Sequence, residues 1–138
     1  MIVVDINVFS ELTKPAPHPR VQRWFLANRT DINLCSVVVF EALSGAEQIR
    51  DRTQRKTVRA VYRALFDRVA KPVLVLDKKA AITGAEMIGS SRRSGVALSG
   101  ADAMIAGIAK QNRAALATRN AKDFKATGLT LIDPWNAP

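Results

Sequence analysis

Apolar positions in this chain form short uniform runs, separated by longer stretches with helical spacing. Ile2 to Asp5 opens with three consecutive aliphatic residues and predicts a short buried strand. Asn7 to Thr13 predicts a short helix, stopped by Pro15, Pro17 and Pro19. Pro19 to Asn28 predicts a helix with Val21, Trp24 and Phe25 on one face. Ile32 to Cys35 reads as a second strand, and Ser36 as the N-cap of a helix running to about Arg50. A very basic helix follows from about Asp51 to Ala70, its core face drawn from Val58, Val61, Tyr62, Leu65, Phe66 and Val69. Pro72 breaks it, and Val73 to Leu76 reads as a third strand. Asp77 caps a helix ending near Ser94 and Gly95, and Ser99 caps another over Gly100 to Gln111. Ala114 to Thr118 and Leu129 to Ile132 are the last two strands.

Uniformly apolar strands joined by long helical connections imply a parallel sheet covered on both faces. The expectation is an α/β fold with three α/β/α layers around a mostly parallel five-stranded sheet, residues 1–138 forming one domain. Right-handed crossovers then place the functional crevice beyond the carboxyl ends of the strands.

Composition narrows the setting. The single cysteine, Cys35, lies in an apolar run and cannot form an internal disulfide, so it reads as a buried small hydrophobe. A reducing compartment follows, most simply the cytoplasm. The opening Met-Ile-Val-Val-Asp lacks a basic segment ahead of an apolar stretch, so no signal peptide is expected. No apolar run is long enough to span a bilayer. A net charge of +9 suits a polyanionic partner, either nucleic acid or an acidic protein.

Against twenty-one basic residues stand only twelve acidic ones. Asp77 and Asp133 suit cap or turn duty, and Asp31, Asp51, Asp67, Glu47 and Glu86 sit in polar surroundings. Glu41 differs. Val37, Val38 and Ala42 share or adjoin its side of a helix, so its charge needs a cation, a proton or good hydrogen bonds. Asp102 falls at the third helical position after Ser99, in a helix rich in Gly and Ala that can pack close to the sheet. Asp5 ends the first strand, and Asp123 lies just past the fourth. Taken singly, each also suits a cap, a loop or an ion pair. Together they map to one edge of a parallel sheet. Clustered carboxylates raise one another's pKa unless a cation sits among them. Oxygen-only donors suit Mg²⁺ or Mn²⁺, and no Cys/His constellation suits zinc. Such a site can bind a phosphodiester and activate water for in-line attack.

At these residues the sequence resembles the PIN-domain family, and most closely its VapC and FitB-like toxins. The opening Ile2-Val3-Val4-Asp5-Ile6-Asn7-Val8-Phe9-Ser10-Glu11 is similar to the family's strand followed by Asp-Thr-Asn-Val-x-Ser-Glu. Ser36 through Gly45 resembles its Ser-x-x-Thr-x-x-Glu-Leu-x-x-Gly segment. Ala101-Asp102-Ala103-Met104-Ile105-Ala106 resembles its Ala-Asp-Ala-x-Ile-Ala, and Thr118-Arg119-Asn120-Ala121-Lys122-Asp123-Phe124 its Thr-Arg-Asn-x-x-Asp-Phe. Gly128 through Trp135 resembles the closing strand and Pro-Trp.

The resemblance implies Asp5, Glu41 and Asp102 as catalytic, metal-holding carboxylates. The fourth position falls at Asp123 or Asn120, and Asp123 is preferred. Asn7 would orient ligands or water, and Thr118 would lie beside the site. Ile6 and Val39 depart from the family pattern by replacing hydroxyl residues. The implied activity is that of a magnesium-dependent endoribonuclease toxin cleaving structured RNA such as tRNA or rRNA. Its implied partners are a cognate antitoxin and a second copy of the chain, within a larger toxin–antitoxin complex. The alternative is a catalytically weak PIN-fold binding protein acting through an antitoxin in operon regulation.

Arg52, Arg55, Lys56, Arg59 and Arg63 share one side of the basic helix, and Arg92 and Arg93 precede Gly95 in a loop. They are expected either as solvated residues or as contacts to RNA phosphates or an acidic partner segment. His18, between two prolines, is expected to be an exposed loop residue. Trp24 and Trp135 are expected to pack rather than to stack on bases.

Overall fold

The computed structural model describes residues 1–138. Its elements are β1 (Ile2–Val4), α1 (Ile6–Leu12), α2 (Pro19–Asn28), β2 (Ile32–Asn33), α3 (Ser36–Glu47), α4 (Arg52–Asp67), α5 (Lys78–Arg93), α6 (Gly100–Gln111), β3 (Ala115–Ala117), α7 (Ala121–Phe124) and β4 (Leu131–Ile132). A 3₁₀ turn, Lys125–Thr127, ends on Gly128 in the left-handed region (φ 74°), where a residue without Cβ is least strained.

The sheet is parallel throughout, with strand order β2-β1-β3-β4. From β1 the chain moves one way to β2, then returns across β1 to add β3 and β4 on the other side. Right-handed crossovers in opposite directions put their helices on opposite faces, giving the three layers. The reversal also defines a crevice at the carboxyl ends of β1 and β3. Those two central strands hold Val3, Val4, Leu116 and Ala117, all fully buried. On one face Phe9 of α1 meets Phe25 of α2 and Phe66 of α4 edge-on, at centroid distances of 6.2 and 5.3 Å.

The sheet has four strands, not five. Val73 to Leu76 makes a single bridge, Leu74 to Cys35. Ser36 N–H donates to the Leu74 carbonyl at 2.8 Å, and Leu74 N–H to the Leu34 carbonyl at 2.9 Å. The pairing stops there because the chain after Cys35 turns into α3, and Pro72 has no amide to extend it backwards. Val73 and Val75 consequently face outward. Ser36 does not cap α3. Its hydroxyl accepts the Leu76 N–H and ties down this edge segment instead. Val61 also departs from the expected core face and is exposed, while Tyr62, Leu65, Phe66 and Val69 are buried. Arg92 and Arg93 occupy the last turn of α5, not a loop.

Two caps form as the sequence predicts: Asp77 accepts from Ala80 N–H and Ser99 from Asp102 N–H. Asp51, expected only as a residue in polar surroundings, also caps its helix by accepting from Gln54 N–H. The small residues of α6 serve chiefly its contact with α5. A Cβ on Gly84 would stand 2.6 Å from the Ala103 carbonyl oxygen, and one on Gly107 would overlap the Ala80 carbonyl oxygen. Only glycine permits this approach. It seats α6 against the core, with Asp102 on its first turn.

Candidate active site

Asp5 follows the last residue of β1, at the crevice between the two central strands. Its backbone N–H continues the ladder by donating to the Ala117 carbonyl at 2.9 Å. The side chain is almost fully buried, 2% exposed. Oδ1 accepts the Ile6 N–H at 2.7 Å, which caps α1. Oδ2 accepts from Thr118 Oγ1 at 2.7 Å and from Asn7 Nδ2 at 3.2 Å. Thr118 lies just after β3, is wholly buried, and accepts the Asn120 N–H on its hydroxyl at 3.1 Å. The ends of the two central strands are thus joined through one carboxylate and one hydroxyl.

Glu41 projects from the middle of α3, beside buried Val37, Val38 and Ala42. It is half-buried, and its Oε1 is sealed from water with no hydrogen-bond partner. Burial, and then the charges of Asp5 and Asp102, push its pKa up to about 7. Burial also raises Asp5, against the Thr118 hydrogen bond, with Asp102 adding to the rise. Asp102 is raised by burial first, and Asp123 raises it further against the Ser99 hydrogen bond. These mutual effects tie four carboxylates from β1, α3, α6 and α7 into one electrostatic cluster. Glu41 and Asp5 also reach Cys35, whose buried thiol is pushed up to about 11, mainly by desolvation. Such a thiol is protonated and inert at neutral pH.

As oriented, no three His, Cys, Asp or Glu side chains stand close enough to share one ion. The donor chemistry nevertheless fits a hard cation. The carboxylates offer oxygen donors, they destabilise one another's charged forms, and the sealed Glu41 oxygen lacks a donor. Such an atom costs free energy until something positive reaches it.

The remaining sequence candidates fall around this centre unevenly. Asn7 and Thr118 contact Asp5 directly. Asn120 approaches only through its backbone; its side chain makes no cap bond and lines a polar cleft with Asn7. Asp123 sits in the first turn of α7, half-buried. Ile6 packs against the core and contributes its N–H to Asp5. Val39 points toward α4, beside Leu43 and Phe66. On the basic helix, Arg59 pairs with Glu47 at 2.8 Å and Arg55 donates to the Ile49 carbonyl at 2.9 Å, so both tie α4 to the end of α3. Arg52, Lys56, Arg63, Arg92 and Arg93 are exposed. His18 is exposed, and its Nδ1 accepts the Arg20 N–H to cap α2.

Two features escaped the sequence reading. Glu11 is buried, 7% exposed, where it accepts from Lys14 Nζ and His18 N–H. Arg119 lies over the indole of Trp135, its guanidinium carbon 5.1 Å from the ring centroid. The clue to the first was a Glu in the last turn of a helix with a Lys three residues on; the second joins segments too far apart in sequence to be linked by spacing.

Residues 2–128 match the PIN domain. Plasmid stability protein StbB of Pseudomonas syringae pv. tomato is 33% identical over 99% of this chain and 100% of its own length. VapC ribonuclease Y4jK of Sinorhizobium fredii is 30% identical over 98% of this chain and 98% of its own. The crystal structure of FitAcB from Neisseria gonorrhoeae superposes with a TM-score of 0.88 at 27% identity, covering 99% of this chain and 100% of that one. The parallel α/β fold is therefore a shared one, and the chain belongs to the PIN-domain family, among its VapC and FitB-like members.

Proposed function

We propose that this chain is a divalent-metal-dependent endoribonuclease and the toxin of a toxin–antitoxin pair. The observation that supports the reading is the sealed, unpartnered oxygen on Glu41, whose charge Asp5 and Asp102 oppose, with Asp123 in turn acting on Asp102. That a relative is a VapC ribonuclease and another relative is named toxin FitB supports the chemistry and the role.

Asp5 and Asp102 would hold Mg²⁺ or Mn²⁺, with Glu41 and Asp123 closing the site directly or through water. A bound ion supplies Lewis-acid stabilisation of a phosphoryl oxygen and lowers the pKa of water. The chain's own residues do the rest. Ile6 N–H, Thr118 and Asn7 fix the Asp5 carboxylate, so that little reorganisation accompanies binding. The Glu41 carboxylate is the proposed acceptor of a proton from attacking water. The lone imidazole, His18, caps α2 in the loop after α1, so the site offers no histidine pair to activate a 2′-hydroxyl.

Structured RNA, bound through phosphate contacts, is the proposed substrate, and the proposed products carry a 3′-hydroxyl and a 5′-phosphate. The proposed partners are an antitoxin and a second copy of the chain. An apolar cleft of about 530 Å³ between α1, α2 and α4, with Leu12, Phe25, Leu26 and Leu65 flanked by Arg23 and Arg68, offers an antitoxin segment a place to dock. No helix is long and apolar enough to cross a membrane, and the cytoplasm is the proposed compartment.

Calorimetry with Mn²⁺ and end-group analysis of cleaved RNA test the reading together. The expected result is Mn²⁺ binding lost in an Asp5→Asn, Asp102→Asn double variant, and 5′-phosphate ends formed only with metal. Unchanged binding, or 2′,3′-cyclic phosphate ends formed equally well in excess EDTA, would overturn it.

A further inference from the structure

A polar cleft of about 180 Å³ opens beside the carboxylate cluster, lined by Asn7, Ser10, Glu11, Lys14, Arg119, Asn120 and Trp135. It adjoins the proposed site through two short links. Asn7 donates to Asp5, and the Asn120 N–H reaches Asp5 through the Thr118 hydroxyl. Its two cations differ. Lys14 is paired with Glu11 at 2.7 Å, whereas Arg119 makes none of the chain's ion pairs and no side-chain hydrogen bond. Arg119 is exposed but not without support, because its guanidinium rests on the indole of Trp135. Trp135 is itself fixed. Asp133 follows β4 and accepts the Trp135 N–H at 3.0 Å and Asn136 Nδ2 at 2.6 Å, and Pro134 between them is buried.

We infer that Arg119, oriented by stacking on Trp135, binds an RNA backbone phosphate adjacent to the one cleaved. The inference rests on the nuclease reading above and adds a substrate subsite to it. Coulomb's law supplies the need. A phosphodiester entering a pit of four carboxylates meets repulsion that a metal at the scissile phosphate offsets only locally. The neighbouring phosphate needs its own counter-charge, and Arg119 is the cation of this cleft with no acidic partner. A guanidinium held over an aromatic ring can keep N–H donors free to grip phosphate oxygens. Ser10 and the Asn120 side chain add neutral polar groups in the same cleft. Trp135 acts through Arg119 and is a positioning residue.

The test measures binding of a fluorescent single-stranded oligoribonucleotide in EDTA, across a salt series. Cleavage does not enter. Arg119→Ala should weaken binding severalfold and flatten the slope of log K against log salt by about 0.7, the loss of one phosphate contact. Arg119→Lys should keep the slope and lose part of the affinity. Trp135→Leu should keep the slope and weaken binding about two- to fivefold, the range expected for one exposed cation–π contact. Arg29→Ala, at an exposed arginine that ends α2, is the reference for nonspecific charge loss. A slope for Arg119→Ala equal to wild type, or affinity loss no larger than for Arg29→Ala, overturns the inference. Wild-type protein that binds RNA with the predicted Arg119 dependence but never cleaves it would refute the nuclease reading and leave the subsite standing. Under turnover, Arg119→Ala should raise KM with little change in kcat.

Discussion

Glu11 and Glu41 are both withdrawn from water, one on α1 and one on α3, and their surroundings treat charge in opposite ways. Glu11 accepts from Lys14 Nζ at 2.7 Å and from His18 N–H at 2.9 Å, and the Lys14 bond holds its pKa below the usual carboxylate range. Glu41 has a sealed oxygen with no donor, and burial with two neighbouring carboxylates pushes it up to about 7. Glu11 pins the proline-rich turn between α1 and α2. Glu41 strains the fold and waits for a cation or a proton. Burial alone therefore does not mark a functional carboxylate. The role proposed for Glu41 rests instead on an unsatisfied oxygen among other carboxylates.

The largest expected effect lies at the strand ends. Asp5→Asn should lower RNA cleavage at least about a hundredfold, the scale for losing one electrostatic or acid–base group. Circular dichroism should show the fold retained. Next comes the scaffold that carries Asp102. Gly107→Ala forces a methyl group into the Ala80 carbonyl and should cost about 1–3 kcal/mol in chemical denaturation. An unchanged denaturation midpoint would show that α5 and α6 are not held at this spacing.

The two glutamates then separate in stability. Glu11→Gln weakens two charge-assisted bonds and should cost about 1–3 kcal/mol. Glu41→Gln removes a charge that nothing compensates and should leave metal-free protein as stable or more so. Equal losses would erase the contrast. The smallest effect is in pH. Because Glu41 titrates near 7 in the fold and near 4.5 when unfolded, the folded state keeps a proton that the unfolded chain has released. Metal-free stability should therefore fall as pH rises from about 4.5 to 7, with Asp5 and Asp102 adding in the same direction. Glu41→Gln should flatten that limb. Glu11 has the opposite sign, since its stabilisation is lost as pH falls through its lowered pKa.

Much of this arrangement was legible in the sequence because local chemistry dictated it. Asp77 and Ser99 cap helices as their positions imply, and the Pro19–Asn28 helix has the predicted bounds. The uniform apolar strands implied the parallel sheet, and the end of the first strand placed Asp5 at its crevice. What stayed hidden depends on partners distant in sequence. Val73 to Leu76 has the composition of a strand but lies at an edge where α3 begins too soon to pair with it. Ser36 has the position of a cap, yet its hydroxyl is claimed by Leu76, forty residues away. The Gly and Ala content of α6 suggested closeness to the sheet, whereas its tightest demand is the backbone of α5. Arg119 and Trp135 meet only because β3 and β4 are neighbours.

The most direct test of the central claim measures RNA cleavage by wild type, Glu41→Gln and Glu11→Gln, with Mg²⁺ and with EDTA, below the melting temperature of the least stable protein. Wild type and Glu11→Gln should cleave with Mg²⁺ and stop in EDTA, while Glu41→Gln binds RNA and does not cleave it. Cleavage by Glu41→Gln at the wild-type rate, or cleavage by any of the three that persists in EDTA, would contradict the account.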